Sequence, residues 1–174
     1  MDQAIAGLAG TVVGGLIGVA GTLGATWRAG KDQKRNQHDH WRRQQRRDAY
    51  SQLLSEASEA IRVGGAALDA YMDGERNAPS LSRDFDDAVK KIDSVVGLVA
   101  LEGPEEAWSA AMELSSALYD WTNGLVIALE AAAGRLAPEP GLPVPDESEL
   151  QDLKATAYSA SDDFVALCRR LLDT

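Results

Sequence analysis

The chain is poor in the residues that carry most enzymatic and metal chemistry. Its 174 residues include one cysteine, Cys168, and two histidines, His38 and His40. A single cysteine excludes an internal disulfide framework and a multi-cysteine metal site, and it fits a reducing compartment. Two histidines two residues apart on a helix point in different directions, so a metal there would need a partner chain. The patterns HExxH, GxSxG and CxxC are absent. We predict no catalytic residue, cofactor or metal, and no enzyme.

Charge is missing from one segment near the start. Residues 4–27 contain no charged side chain, which is enough chain to cross about 30 Å of hydrocarbon as a helix. At about 0.3 to 0.6 kcal/mol each, its eight large aliphatic side chains favour insertion by about 2 to 5 kcal/mol. Its seven glycines would be costly in a buried core helix, and Met1-Asp2-Gln3 lacks the basic start of a signal peptide. The sequence therefore predicts a transmembrane anchor in residues 1–27.

A basic neck, residues 28–47, follows this segment. Its eight basic side chains are Arg28, Lys31, Lys34, Arg35, Arg42, Arg43, Arg46 and Arg47. By the positive-inside rule, we expect a single span of the inner (cytoplasmic) membrane with the N-terminus outside and the remainder in the cytoplasm. These side chains are also expected to contact anionic lipid, at about 1 kcal/mol each near the surface. The alternative is that they only set the topology.

Glycines gather on one side of the predicted span. At about 100° per residue they fall within an arc of roughly 120°, and most of the large aliphatic residues lie opposite. The predicted contact residues are Gly7, Gly10, Gly14, Gly18 and Gly21. Small residues at such spacing, a glycine zipper, let helix backbones approach closely in lipid. We expect a homo-oligomer through this face; a monomeric span and a contact with another protein's helix remain alternatives.

An acidic body fills the rest of the chain. Residues 48–174 carry nine basic and twenty-four acidic side chains, against a net charge of −10 for the whole chain. This balance disfavours nucleic acid as a partner. Apolar residues recur at helical spacing, and no useful strand-like alternation occurs. We predict an all-α fold: one N-terminal transmembrane helix, a basic helical neck and an antiparallel four-helix bundle. The bundle helices are expected at about 48–73, 81–102, 104–135 and 147–173.

Turn and capping residues separate these predicted helices. A polar turn with Pro79 precedes the second helix, and Gly103-Pro104 divides the second from the third. Four prolines within residues 137–146 predict an extended linker. A capping box starting at Asp146 or Ser148 opens the fourth helix, and Cys168 falls on its apolar stripe. The predicted third helix carries, at helical spacing, Trp108, Ala111, Met112, Ser115, Leu118, Thr122, Leu125, Val126 and Leu129.

Two stretches carry a resemblance to known proteins, residues 46–54 (RRDAYSQLL) and 99–106 (VALEGPEE). With the glycine-rich span and the Arg-rich neck, the chain resembles a class of small, largely uncharacterised actinobacterial single-span membrane proteins with an Ala-rich cytoplasmic helical body. The resemblance covers most of the chain. It implies a topology and a fold, and it passes on no activity.

Two functions fit this organisation. The first is a membrane-anchored scaffold that self-associates through its glycine face and docks an unknown cytoplasmic protein on its bundle. The alternative is an oligomeric membrane-perturbing protein, such as a holin-like or defence effector, because glycine repeats suit tight rings of helices.

Overall fold

The computed structural model describes residues 41–135 and 143–173, and in this part of the chain the protein is entirely helical, with no strand. The chain divides into two compact units, residues 1–43 and 44–174. The second unit contains the helical bundle. The all-α prediction is confirmed for the described residues.

Four helices make up the described part. Helix α1 covers residues 41–72, α2 runs Ala78–Glu102, α3 runs Glu105–Ala132 and α4 runs Glu147–Leu172. Helix α3 packs against both α2 and α4. The connections from α1 to α2 and from α2 to α3 are so short that these helices are antiparallel neighbours. Helix α1 closes the bundle, because the ring of its Tyr50 meets Phe164 of α4 edge-on with the centroids 6.0 Å apart.

The helices begin and end at residues suited to those positions. Gly74 and Gly134 have φ of 65° and 67°, and each ends its helix in a Schellman motif. The capping box at Asp146 is present: its carboxylate accepts from the backbone N–H of Glu149, whose own carboxylate accepts from the backbone N–H of Asp146. Prediction and structure agree at this start.

Three predicted helix boundaries differ from the structure. The first bundle helix was predicted from about residue 48, but α1 already includes residues 41–47 of the predicted neck. Pro79 was assigned to the turn before α2, but it lies in the first turn of that helix, which begins at Ala78. Proline suits this position because the first backbone N–H groups have no partner within the helix. Helix α3 ends at Ala132 rather than at Arg135, because Gly134 takes a left-handed conformation that stops it.

The core is built from a few large side chains among many alanines. Trp121, Tyr50, Phe85 and Phe164 are the largest fully buried side chains. The rings of Phe85 and Trp121 meet edge-on with their centroids 4.8 Å apart. A Cβ atom at Gly64 of α1 would lie 2.7 Å from Phe85 and 2.9 Å from Trp121, so only glycine lets α1 approach this pair without a shift.

The predicted transmembrane segment, residues 4–27, lies outside the described residues. None of the helices that the structure describes is long and apolar enough to cross a membrane.

Candidate interaction surface

A tight connection joins α2 to α3. Gly103 ends α2 and Pro104 precedes the first residue of α3. A Cβ atom at Gly103 would lie 2.8 Å from the carbonyl oxygen of Val99 and 3.0 Å from the Tyr50 hydroxyl. Glycine is therefore required here for close approach rather than for a left-handed backbone, since its φ is −92°.

Large apolar side chains are exposed on both sides of this connection. Of the eight exposed large hydrophobic residues in the described part of the chain, four lie in the last turns of α2 and the first turns of α3. They are Leu98, Leu101, Trp108 and Met112, exposed by 40%, 80%, 44% and 47%. We call Leu101, Trp108 and Met112, which flank the connection, the junction surface. Leu98 is not included, because it lies seven residues after Lys91, which lines the groove between α1 and α2, and so faces the other flank of α2. The grouping of the three residues matters because clustered exposed apolar residues mark interaction sites, whereas scattered ones are ordinary.

A groove adjoins the junction surface between α2 and α3. It has a volume of about 340 Å³ and is lined by Asp93, Val96, Met112, Ser115, Ser116 and Tyr119. Val96 and Ser115 are buried and form its inner part. The groove therefore offers a small, partly apolar recess beside Met112.

A hydrogen bond between α2 and α3 borders this groove. The Tyr119 hydroxyl donates to a carboxylate oxygen of Asp93 at 2.6 Å. This bond, with partial burial and the negative charges of Asp93 and Asp86, raises the pKa of Tyr119 to about 12. The hydroxyl consequently stays protonated, and its bond with Asp93 persists, at every physiological pH.

Two other grooves have charged rims. One, of about 400 Å³, lies between the start of α2 and the end of α3, where Arg135 pairs with Glu130 at 2.7 Å. The other, of about 430 Å³, lies between α1 and α2, where Arg62 pairs with Glu59 at 2.6 Å. Val126, one exposed apolar side chain, lines the first groove, and none of the eight exposed large hydrophobic residues is among those that line the second.

Half of the predicted neck residues fall within the described part. Arg42, Arg43 and Arg47 are exposed, whereas Arg46 is half-buried. The Arg46 Nε–H donates to the main-chain oxygen of Glu102 at 2.8 Å. This oxygen belongs to the last residue of α2, where carbonyl groups lack helical partners and favour a cationic donor. Arg46 thus has a contact within the bundle that the sequence did not reveal.

The remaining predicted site residues lie outside the described residues. They are Gly7, Gly10, Gly14, Gly18, Gly21, Arg28, Lys31, Lys34 and Arg35, and the two histidines lie there as well. Among the described residues, no group of His, Cys, Asp or Glu side chains is placed to hold a metal ion.

The interior near the neck end of the bundle contains two titratable groups. Burial raises the pKa of the Cys168 thiol to about 11, and the prediction that this residue packs in the core is confirmed. Burial also raises the pKa of Tyr50, whose hydroxyl has no hydrogen-bond partner among the described residues. Both groups are protonated at neutral pH and serve as packing groups.

Three members of the apolar pattern predicted for α3, Trp108, Met112 and Val126, are exposed rather than buried. The structure buries Trp121 instead, which the predicted pattern omitted. The spacing of Trp121 from Ala117 and Leu125, four residues on either side, was the available signal, since all three are buried on one face of α3.

Comparisons with known proteins add nothing to the interpretation of the junction surface, which therefore rests on its geometry. No family model, no curated protein and no solved structure matches this chain.

Proposed function

We propose that this protein is a membrane-anchored scaffold without enzymatic activity, whose helical bundle binds another protein. The single observation that carries the docking role is the junction surface, where three large apolar side chains are exposed on either side of the α2–α3 connection. Apolar and aromatic side chains are enriched at the centres of protein interfaces. The anchoring role rests on the uncharged residues 4–27 and on the eight basic residues that follow them.

The proposed topology places the N-terminus outside the inner membrane and the bundle in the cytoplasm. A flotation assay should recover the full chain with membranes after alkaline extraction, and a reporter fused after Thr174 should be active only if it functions in the cytoplasm. Replacing the neck arginines with glutamine should weaken this orientation and reduce binding to anionic vesicles. A reporter active only outside the cytoplasm would overturn the orientation.

Docking on the bundle is tested with the full chain solubilised in mild detergent. The variant Trp108→Glu/Met112→Glu puts two charges on the junction surface, and both side chains are exposed enough to leave the core intact. Tyr158→Glu is the matched control, because Tyr158 is 46% exposed on α4. A partner retained by the parent and the control but lost by the double variant supports the proposal; a partner retained by all three contradicts it.

Self-association is proposed to use the glycine face of the span. Gly14→Leu should sharply reduce crosslinking between copies in membranes, because a bulky side chain separates the backbones. Leu16→Ala, on the opposite face, should change it little. Equal crosslinking of both variants and the parent would remove the glycine face as the contact.

A membrane-perturbing oligomer is the second candidate, favoured by the repeat of Gly10, Gly14 and Gly18 every four residues. Such a protein should depolarise the membrane when overproduced, as a potential-sensitive dye reports. The effect should disappear in Gly14→Leu/Gly18→Leu. A normal membrane potential at high expression counts against this candidate and leaves the scaffold.

A further inference from the structure

The segment that carries the junction surface is charged with one sign. Residues 93–120 contain six acidic side chains and no lysine or arginine. The acids are Asp93, Glu102, Glu105, Glu106, Glu113 and Asp120. Glu105, Glu106 and Glu113 are exposed, and none of them forms an ion pair within the part of the chain described by the structure. The exposed apolar residues of α3 are therefore bordered by negative charge on their own helix, whereas Arg46 of α1 contacts the main chain at the end of α2.

This charge decides between the possible occupants of the surface. Two copies meeting through the same surface would bring Glu105, Glu106 and Glu113 of both copies together, because a two-fold contact uses the same patch on both partners. The cytoplasmic face of a membrane is itself negative and would repel the acids. A cationic partner gains from them, since complementary charge speeds association and suppresses wrong partners.

The shape beside Met112 suits a helix. Trp108 and Met112 lie four residues apart and share a side of α3, and the groove between α2 and α3 opens next to them. An amphipathic helix docks through apolar anchors spaced three or four residues apart that enter such a groove. Basic residues flanking those anchors would face Glu105 and Glu113.

We propose that the junction surface and its groove bind a cationic amphipathic helix of another protein. This inference rests on the docking role proposed above, and it specifies the charge and the secondary structure of the partner segment. Apolar residues of the partner helix pack against Trp108 and Met112, and its Lys or Arg side chains pair with the surrounding acids.

Site-specific photocrosslinking in the full chain, expressed in its own membranes, tests this proposal. A benzophenone amino acid replaces Met112, and the control carries it in place of Tyr158, which is similarly exposed on α4. The double variant Glu105→Gln/Glu113→Gln should lower the adduct yield from position 112 roughly three- to tenfold, since each exposed charge contact is worth a small factor. Asp162→Asn/Asp163→Asn removes two exposed charges from α4 and should leave the yield unchanged.

The expected result is an adduct at position 112 that maps, by mass spectrometry of the linked peptide, to a basic amphipathic segment of another protein. Four results would overturn the proposal: a yield no higher than at position 158, an adduct to lipid or to a second copy, a linked segment that is acidic or neutral, or a yield insensitive to Glu105 and Glu113. Flotation and pull-down from the same preparation separate this failure from that of the scaffold. If the chain still floats with membranes and still retains a partner, the scaffold proposal stands and only the proposed binding site is wrong.

Discussion

Trp121 and Trp108 lie on the same helix in opposite environments. Trp121 is fully buried, with its ring against Phe85, whereas Trp108 is 44% exposed on the junction surface. The inward face of α3 packs against two other helices, so a change in one buried side chain there alters the packing of its neighbours. The outward face carries apolar residues that the folded bundle leaves exposed. The same residue type therefore stabilises the fold on one face and remains available for binding on the other.

Truncating the two tryptophans gives the largest expected contrast. Trp121→Ala should lower the free energy of unfolding by about 3 to 5 kcal/mol, because it leaves a large cavity beside Phe85. Trp108→Ala should change it by less than about 1 kcal/mol. Chemical unfolding of the full chain in mild detergent, followed by far-ultraviolet circular dichroism, measures both. Similar losses for the two variants would contradict the assignment of opposite faces.

Adjacent glycines on α1 test how closely the inward face is packed. Gly64→Ala should destabilise the bundle by about 1 to 2 kcal/mol, because overpacking against the rings of Phe85 and Trp121 outweighs the gain in helix propensity. Gly65→Ala should stabilise it by about 0.5 to 1 kcal/mol, since no atom lies within 4 Å of the added Cβ. The same unfolding measurement applies, and a stabilising Gly64→Ala would show that the rings move aside easily.

The bond between Tyr119 and Asp93 should have a smaller effect. Because the pKa of Tyr119 is raised from 10.0 to about 12, its stabilising contribution is fully present below about pH 10 and is lost as the pH rises through about 12. Ultraviolet absorbance titration of the parent and of Asp93→Asn should differ by one tyrosine, Tyr119, whose pKa falls from about 12 towards 10, while the raised pKa of the buried Tyr50 is unchanged. Tyr119→Phe should lower stability by about 0.5 to 1 kcal/mol. An unchanged titration in Asp93→Asn would contradict the bond.

The smallest stability change is expected on the junction surface itself. Leu101→Ser should alter the free energy of unfolding by less than about 0.5 kcal/mol, because Leu101 is 80% exposed. The same variant should still weaken the photocrosslink at position 112. A large loss of stability would mean that Leu101 supports the fold, and the junction surface would then lose its most exposed member.

Helix punctuation was the most predictable part of the fold. The capping box that opens α4 and the end of α1 at Gly74 depend on neighbouring residues alone. The sequence narrowed the first residue of the box to Asp146 or Ser148, and the structure selects Asp146. Pro79 was ambiguous, because proline is equally suited to a turn and to the first turn of a helix. The contact from Arg46 to Glu102 joins distant parts of the chain, and no local pattern reports it.

The inward face of α3 was less predictable because this helix is apolar over much of its circumference. The predicted pattern is offset from the buried face by roughly a quarter turn at about 100° per residue. Periodicity identifies a buried face only where the opposite face is polar. Trp108 and Met112 make part of the outward face apolar as well. An apolar surface used for binding gives the same sequence pattern as a buried face, so periodicity does not distinguish the two.

Burial of Cys168 has a consequence for the chemical reactivity of the whole chain. With a pKa of about 11, about one thiol in ten thousand is ionised at neutral pH, and the thiolate is the form that oxidants and alkylating reagents attack. Because this is the only cysteine in the sequence, the native protein should be nearly inert to such reagents while folded. A cysteine introduced at an exposed position would therefore react selectively, and a spectroscopic label could be placed there without first removing the native thiol.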